Sequence, residues 1–162
     1  MCIRYSPDGK HIAASCANHG KVPVIHIWDA VTLERIQSLY GHSQERTLVN
    51  IDYKFDSSRL LSASYDGTVK IWDLTSYECI GELKHNDGVT SAHYSLDGEL
   101  IVTSSFDGTA KIWDANTYEC LQTIPNIPGL FIQGLDLRNL APGSNFTEED
   151  KHILRMYGAL ID

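Results

Sequence analysis

"DGTVKIWDLTSYEC" occupies residues 66–79, and "DGTAKIWDANTYEC" occupies residues 107–120. Ten of the fourteen positions agree, at an offset of 41 residues. A third Trp-Asp pair, Trp28-Asp29, stands 44 positions before Trp72-Asp73, and Trp113-Asp114 stands 41 after it. A period of this size marks a repeat architecture, in which one supersecondary unit is written several times and stacked. Ahead of each pair lies an alternating apolar segment: "VIHIW" (24–28), "TVKIW" (68–72) and "TAKIW" (109–113). Alternation with period two predicts a half-buried strand.

Working outward, "HIAAS" (11–15), "LLSAS" (60–64) and "LIVTSS" (100–105) read as more fully buried strands. Asp66-Gly67 and Asp107-Gly108 fall between the two strands of their units. Asp-Gly suits a tight hairpin, because such turns need a positive φ that glycine adopts without steric cost. One turn earlier, "SPDG" (6–9) and "SLDG" (95–98) carry glycine in the fourth position, and "KFDS" (54–57) is a degraded copy. After each Trp-Asp come a polar turn and a fourth strand: "LERIQSL" (33–39), "YECIGEL" (77–83) and "YECLQTI" (118–124). The fold class is therefore all-β, with three four-stranded antiparallel meanders at about 1–40, 41–84 and 85–124.

From Cys2 to Ile124 the chain resembles the WD-repeat family of β-propellers: strand order, turn chemistry, Gly41-His42 and three Trp-Asp pairs agree in register. The resemblance implies a tetrad of His, Ser or Thr, Asp and Trp hydrogen-bonded within each blade. The second unit supplies His42, Ser62, Asp66 and Trp72; the third supplies His85, Thr103, Asp107 and Trp113, with Lys84 in place of the usual Gly before the His. The first unit departs from the pattern. Ala14 replaces the hydroxyl, the loop from Ala17 to Pro23 lacks the turn Asp, and Trp28 is left as a packing residue. The resemblance also implies a rigid platform for a protein or peptide, with contacts at Tyr65 and Phe106 before the turn Asp. Further contacts are expected at Thr47 and Val49, and at Gly88 and Thr90, near the start of each innermost strand.

Ser, His and Asp together invite a hydrolase reading through His42, Ser62 and Asp66. A tetrad that recurs in each regular blade argues against it, since a catalytic triad needs a single site with an oxyanion hole and a cleft. We expect no catalytic residues and no enzyme in this chain. The four cysteines (Cys2, Cys16, Cys79 and Cys120) have no metal-binding spacing, and His85 and His93 lack further donors, so no metal is expected. No Gly-rich phosphate loop occurs and no cofactor is expected. The net charge of −8 disfavours nucleic acid and anionic membranes as partners. No apolar run reaches the ~20 residues of a membrane span. The chain opens without a charged-then-apolar leader, so a cytoplasmic location with free thiols is expected.

Closed propellers use about four to eight blades, so three imply an incomplete ring. The alternatives are a piece of a larger propeller protein, copies that assemble into a ring, or an open arc shielded by its tail. In the tail, 125–162, "LFIQGLDLRNL" (130–140) predicts an extra strand, and "TEEDKHILRMY" (147–157) predicts a helix with Thr147 as N-cap. That helix caps a blade or serves as a docking peptide. The tail also resembles the C-terminal ends of some large bacterial WD-repeat proteins. The expected function is a non-catalytic protein–protein interaction scaffold. The alternative is a regulatory or sensor segment of an NTPase or effector protein whose enzymatic module is not in this chain.

Overall fold

The computed structural model describes residues 2–16, 23–43 and 48–125. They form twelve strands. The first four are β1 (Ile3–Tyr5), β2 (His11–Cys16), β3 (Val24–Asp29) and β4 (Arg35–Tyr40). The next four are β5 (Leu48–Tyr53), β6 (Arg59–Ser64), β7 (Thr68–Asp73) and β8 (Cys79–Lys84). The last are β9 (Val89–Tyr94), β10 (Leu100–Ser105), β11 (Ala110–Asp114) and β12 (Cys120–Ile124). Each set of four makes one antiparallel meander, as the alternation of the sequence predicts, and the described sheets form no closed ring. The loop 17–22, Thr47, the tail strand and the tail helix lie outside the described residues.

Turn chemistry sets the meander. Gly9 and Gly98 close four-residue turns by donating to Ser6 O and Ser95 O, each at 2.9 Å, and both take φ +73°. Ser57 closes the second-blade turn onto Lys54 O in the same way, at φ +60°. A serine thus sits where its neighbours use glycine, in a region that disfavours a Cβ. In both Asp-Gly turns the positive φ falls on glycine alone, and its N–H donates three residues back, to Ser64 O or Ser105 O. After each Trp, the Asp carboxylate accepts the N–H groups two and three residues on: Val31 and Thr32, Thr75 and Ser76, Asn116 and Thr117. The Trp-Asp aspartate therefore builds the turn that launches the outer strand.

The sheets stack through one repeated interface. Leu48, Ile51, Tyr53, Leu60 and Trp72 of the second sheet cluster with Ala13, Ile25, Ile27 and Leu39 of the first. At the same registers, Val89, Ala92, Tyr94, Ile101 and Trp113 of the third cluster with Leu61, Ala63, Val69, Ile71 and Leu83 of the second. Burying such side chains contributes about 1.5–3 kcal/mol each relative to leaving them in water. The innermost strands are also tied by side chains: Asn50 Oδ1 accepts Ala92 N–H at 3.3 Å, and Asp52 Oδ2 accepts Tyr94 N–H at 3.1 Å. These bonds satisfy donors on the edge of β9 that pairs with no strand.

Candidate functional site

In the second blade the hydrogen bonds run from core to surface. Trp72 Nε1–H donates to Ser62 Oγ at 2.8 Å, and Ser62 Oγ lies 2.7 Å from His42 Nε2. His42 Nδ1 lies 2.9 Å from Asp66 Oδ2. The indole can only donate, so the serine proton goes to Nε2, and Nδ1–H then donates to the carboxylate. Asp66 also accepts Ser43 N–H at 3.0 Å, Thr68 N–H at 2.9 Å and the Thr68 hydroxyl at 2.6 Å. Burial alone would raise the Asp66 carboxyl, but these bonds outweigh it and hold the group well below the usual carboxylate range.

The third blade repeats the arrangement. Trp113 Nε1–H donates to Thr103 Oγ1 at 2.8 Å, Thr103 Oγ1 meets His85 Nε2 at 2.7 Å, and His85 Nδ1 meets Asp107 Oδ2 at 3.1 Å. Burial pushes the Asp107 carboxyl up, while the Thr109 hydroxyl and the N–H groups of Asn86 and Thr109 bring it down to about 2. Burial likewise lowers His85, against the pull of Asp107. Thr68 and Thr109 are members of these networks that the sequence reading did not single out. Their signal was the threonine after Asp-Gly in both copies of the repeated phrase.

The polarity matches that of a catalytic triad, but the access does not. Ser62 is fully buried, and its oxygen already accepts the indole proton. No substrate carbonyl reaches it. Among the described residues no group of three or more His, Cys, Asp or Glu is placed to hold a metal ion. His93 Nδ1 instead pairs with Asp52 at 3.3 Å.

In the first blade Ala14 is buried, and His26 and Trp28 pack edge to face at 5.4 Å, with His26 Nδ1 bonded to Ser38 Oγ at 2.8 Å. This sheet has no counterpart of the indole–hydroxyl–imidazole–carboxylate line among its described residues.

Tyr65 and Phe106 come together at the end of the blades that carries the Asp-Gly turns. Their ring centroids are 5.3 Å apart at 45°, and they remain 37% and 45% exposed. Gly88 lies between them. A Cβ there would meet Tyr65 Cα at 3.1 Å, Tyr65 O at 3.2 Å and Phe106 Cδ2 at 3.3 Å, so a side chain would press on the backbone of one turn and the ring of the other. The segment 85–88 is bonded to both turns: His85 N–H donates to Gly67 O and Phe106 N–H donates to Gly88 O, each at 2.9 Å. The register skips Thr90 of β9 opposite Ser104 and Ser105, a bulge beside the turn that carries Phe106, and bulges are common next to functional sites. Of the other expected contact positions, Val49 packs against the core between the second and third sheets. The Thr90 hydroxyl bonds to Ser104 Oγ at 2.8 Å.

This arrangement of three meanders, with a buried indole network in two of them, defines a protein of repeated propeller blades. The sequence model described as "WD domain, G-beta repeat" matches residues 33–73 and 77–114, and the chain is a member of the WD-repeat family. It is 34% identical over 93 residues to "WD repeat-containing protein 1" of Xenopus tropicalis, covering 57% of this chain and 13% of that protein. With the Gallus gallus protein of the same name it shares 42% identity over 89 residues, covering 54% of this chain and 14% of the relative. It also shares 35% identity over 89 residues with "Eukaryotic translation initiation factor 3 subunit I" of Caenorhabditis briggsae, covering 55% of this chain and 25% of that protein. WD repeats generally mediate protein–protein contact, and the proteins that carry them are generally non-catalytic scaffolds.

Proposed function

We propose that this chain is a non-catalytic protein-interaction scaffold whose docking surface is the end bearing Tyr65, Phe106 and Gly88. The observation that carries the reading is the exposed aromatic pair, 5.3 Å between centroids, held over two turns that are both hydrogen-bonded to the segment 85–88. Aromatic side chains are enriched at binding hot spots, and a preorganised surface loses little entropy on binding. The test compares wild type with the Tyr65→Ala/Phe106→Ala double variant. Both should melt at the same temperature, and the variant should lose co-purifying partners. Equal retention of partners by the two proteins would refute the assignment of this surface.

The finer part of the proposal is that the three sheets belong to a larger propeller. Ile3 and Tyr5 are 61% and 66% exposed, whereas Ile51, Ala92, Tyr53 and Tyr94 at the same registers are at most 7% exposed. A further blade packed against β1 would bury the first two as its counterparts are buried. The low coverage of the longer relatives supports the same reading. Particle mass in solution tests it: a closed ring of copies would replace that reading, whereas a strictly monomeric species excludes the ring and leaves a further blade of the same polypeptide or the open arc shielded by its tail. We place the protein in the cytoplasm; the four cysteines are free thiols, which supports a reducing compartment.

A further inference from the structure

We infer that the Tyr65–Phe106 surface takes a basic side chain, an arginine above all, presented by a peptide segment of the partner. The inference rests on the docking reading above and adds the chemistry of the ligand. The two rings are tilted at 45° and part of each is open to solvent. The face of an aromatic ring attracts a cation, and a guanidinium can lie flat on one ring while its edge reaches a carboxylate. That carboxylate is present. Asp87 is exposed and precedes Gly88, the residue between the two rings. Its own carbonyl accepts the Ser105 hydroxyl at 2.9 Å, and its carboxylate accepts Gly88 N–H at 2.6 Å, so the acid is anchored beside the aromatic pair.

The surrounding charge has the complementary sign. Asp66 and Asp107 lie in the same two turns, and their carboxylates are kept ionised by the networks beneath them. No lysine or arginine occurs at 41–43, 65–68, 85–88 or 105–109. Lys84, just before this segment, is paired with Glu82 at 3.1 Å. A cation arriving at the rings therefore meets the exposed Asp87, with the buried carboxylates of Asp66 and Asp107 beneath it. An acidic peptide meets the opposite field. A purely apolar peptide would contact the rings but desolvate the Asp87 carboxylate with only the Gly88 N–H to compensate it.

A displayed library of random nine-residue peptides tests this, selected on the wild-type chain and counter-selected on the Tyr65→Ala/Phe106→Ala variant. The expected result is enrichment of arginine and lysine in the retained peptides. Their affinity should fall about fivefold or more in Asp87→Asn and fall again as sodium chloride is raised. Asp87→Asn should melt with the wild type. Retained peptides that are apolar or acidic, or that bind Asp87→Asn equally well, overturn the basic-ligand inference and leave the docking surface standing. Recovery of no peptide specific to the wild-type rings overturns both.

Discussion

Trp28 and Trp72 stand at the same register of adjacent sheets, opposite Ile12 and Leu60. Trp72 is buried and its indole anchors a line of four side chains that reaches the surface, whereas Trp28 is half-buried and packs on His26. The difference extends to the faces. Tyr77 and Tyr118 pack against the cluster of the preceding blade, while Leu33, at the same turn position in the first blade, is 68% exposed. All three residues adopt a positive φ near +60°. The strand meander therefore does not depend on the polar network, since the first sheet keeps its four strands without a counterpart of it among the described residues. The network serves a different purpose: it fixes the Asp-Gly turn, and with it the residues the turn presents.

The largest effect that would test this comparison is at the hydroxyl. Ser62→Ala removes the oxygen shared by Trp72 and His42 and leaves two buried nitrogen atoms without partners. Each such orphan costs about 1–3 kcal/mol, so chemical denaturation should show a loss of about 3 kcal/mol. Ala14→Ser, which writes the missing hydroxyl into the first blade, should gain no stability and should cost about 1 kcal/mol, because no imidazole awaits its proton. Equal and small effects of the two substitutions would mean that the networks are incidental to blade rigidity.

Acid should distinguish the blades next. Asp107 is held at about 2 and Asp66 is held low by the same bonds, against about 3.9 for an unfolded aspartate. A depressed carboxylate contributes stability that is fully present above the unfolded value and is lost as pH falls through the folded one. His85 is also depressed, so its neutral form contributes fully above about 6.5 and progressively less below it. Stability should be flat from about pH 9 to about pH 6.5, slope gently down to about pH 4, and fall steeply beneath that. In Asp66→Asn plus Asp107→Asn the steep limb should flatten. Hydrogen exchange of the first-blade strands, which lack this aspartate, should show the weaker acid response. The Trp-Asp aspartates Asp29, Asp73 and Asp114 are lowered in all three blades and do not separate them.

The meander was legible in the sequence because strand alternation and turn residues are local signals. "VIHIW" and "TVKIW" alternate, and each turn names itself by an Asp-Gly or an aspartate after tryptophan. The networks were legible because four chemically distinct side chains recur in register. Bonds between blades were not legible. Nothing around Asn50 or Asp52 shows that their side chains satisfy backbone donors 42 residues away. Asp87 was passed over for the same reason. Its neighbours are two aromatic residues brought to it by turns from two different sheets, and only the folded chain places them together.

Gly81 illustrates such a non-local demand and gives an intermediate effect. It lies opposite Ile71, where the first blade has Gln37 opposite Ile27. A Cβ on Gly81 would sit 2.6 Å from Tyr118 Cε2 and 3.1 Å from Ile71 Cδ1. Tyr118 is held by its left-handed backbone and by donation of its N–H to Asp114 O at 2.9 Å, so the ring has little room to retreat. Gly81→Ala should cost about 1–2 kcal/mol through overpacking. A thermal shift of similar size after Gln37→Ala would show that the position, rather than the tyrosine above it, is responsible.

The smallest effect runs the other way. Ser57 holds φ +60° in the turn where Gly9 and Gly98 hold +73°. An L-residue in this region costs roughly 1–2 kcal/mol, which Ser57→Gly would relieve. Against that stand the greater freedom of glycine in the unfolded chain and the loss of the exposed bond from Asp8 N–H to Ser57 Oγ at 3.1 Å. The balance should be a gain of about 0.5 kcal/mol, seen as a slightly higher denaturation midpoint at unchanged slope. The bond to Asp8 links the second blade's turn to the first. If Ser57→Gly lowers the midpoint instead, that single contact outweighs the backbone strain, and the first blade depends on its neighbour more than its packing indicates.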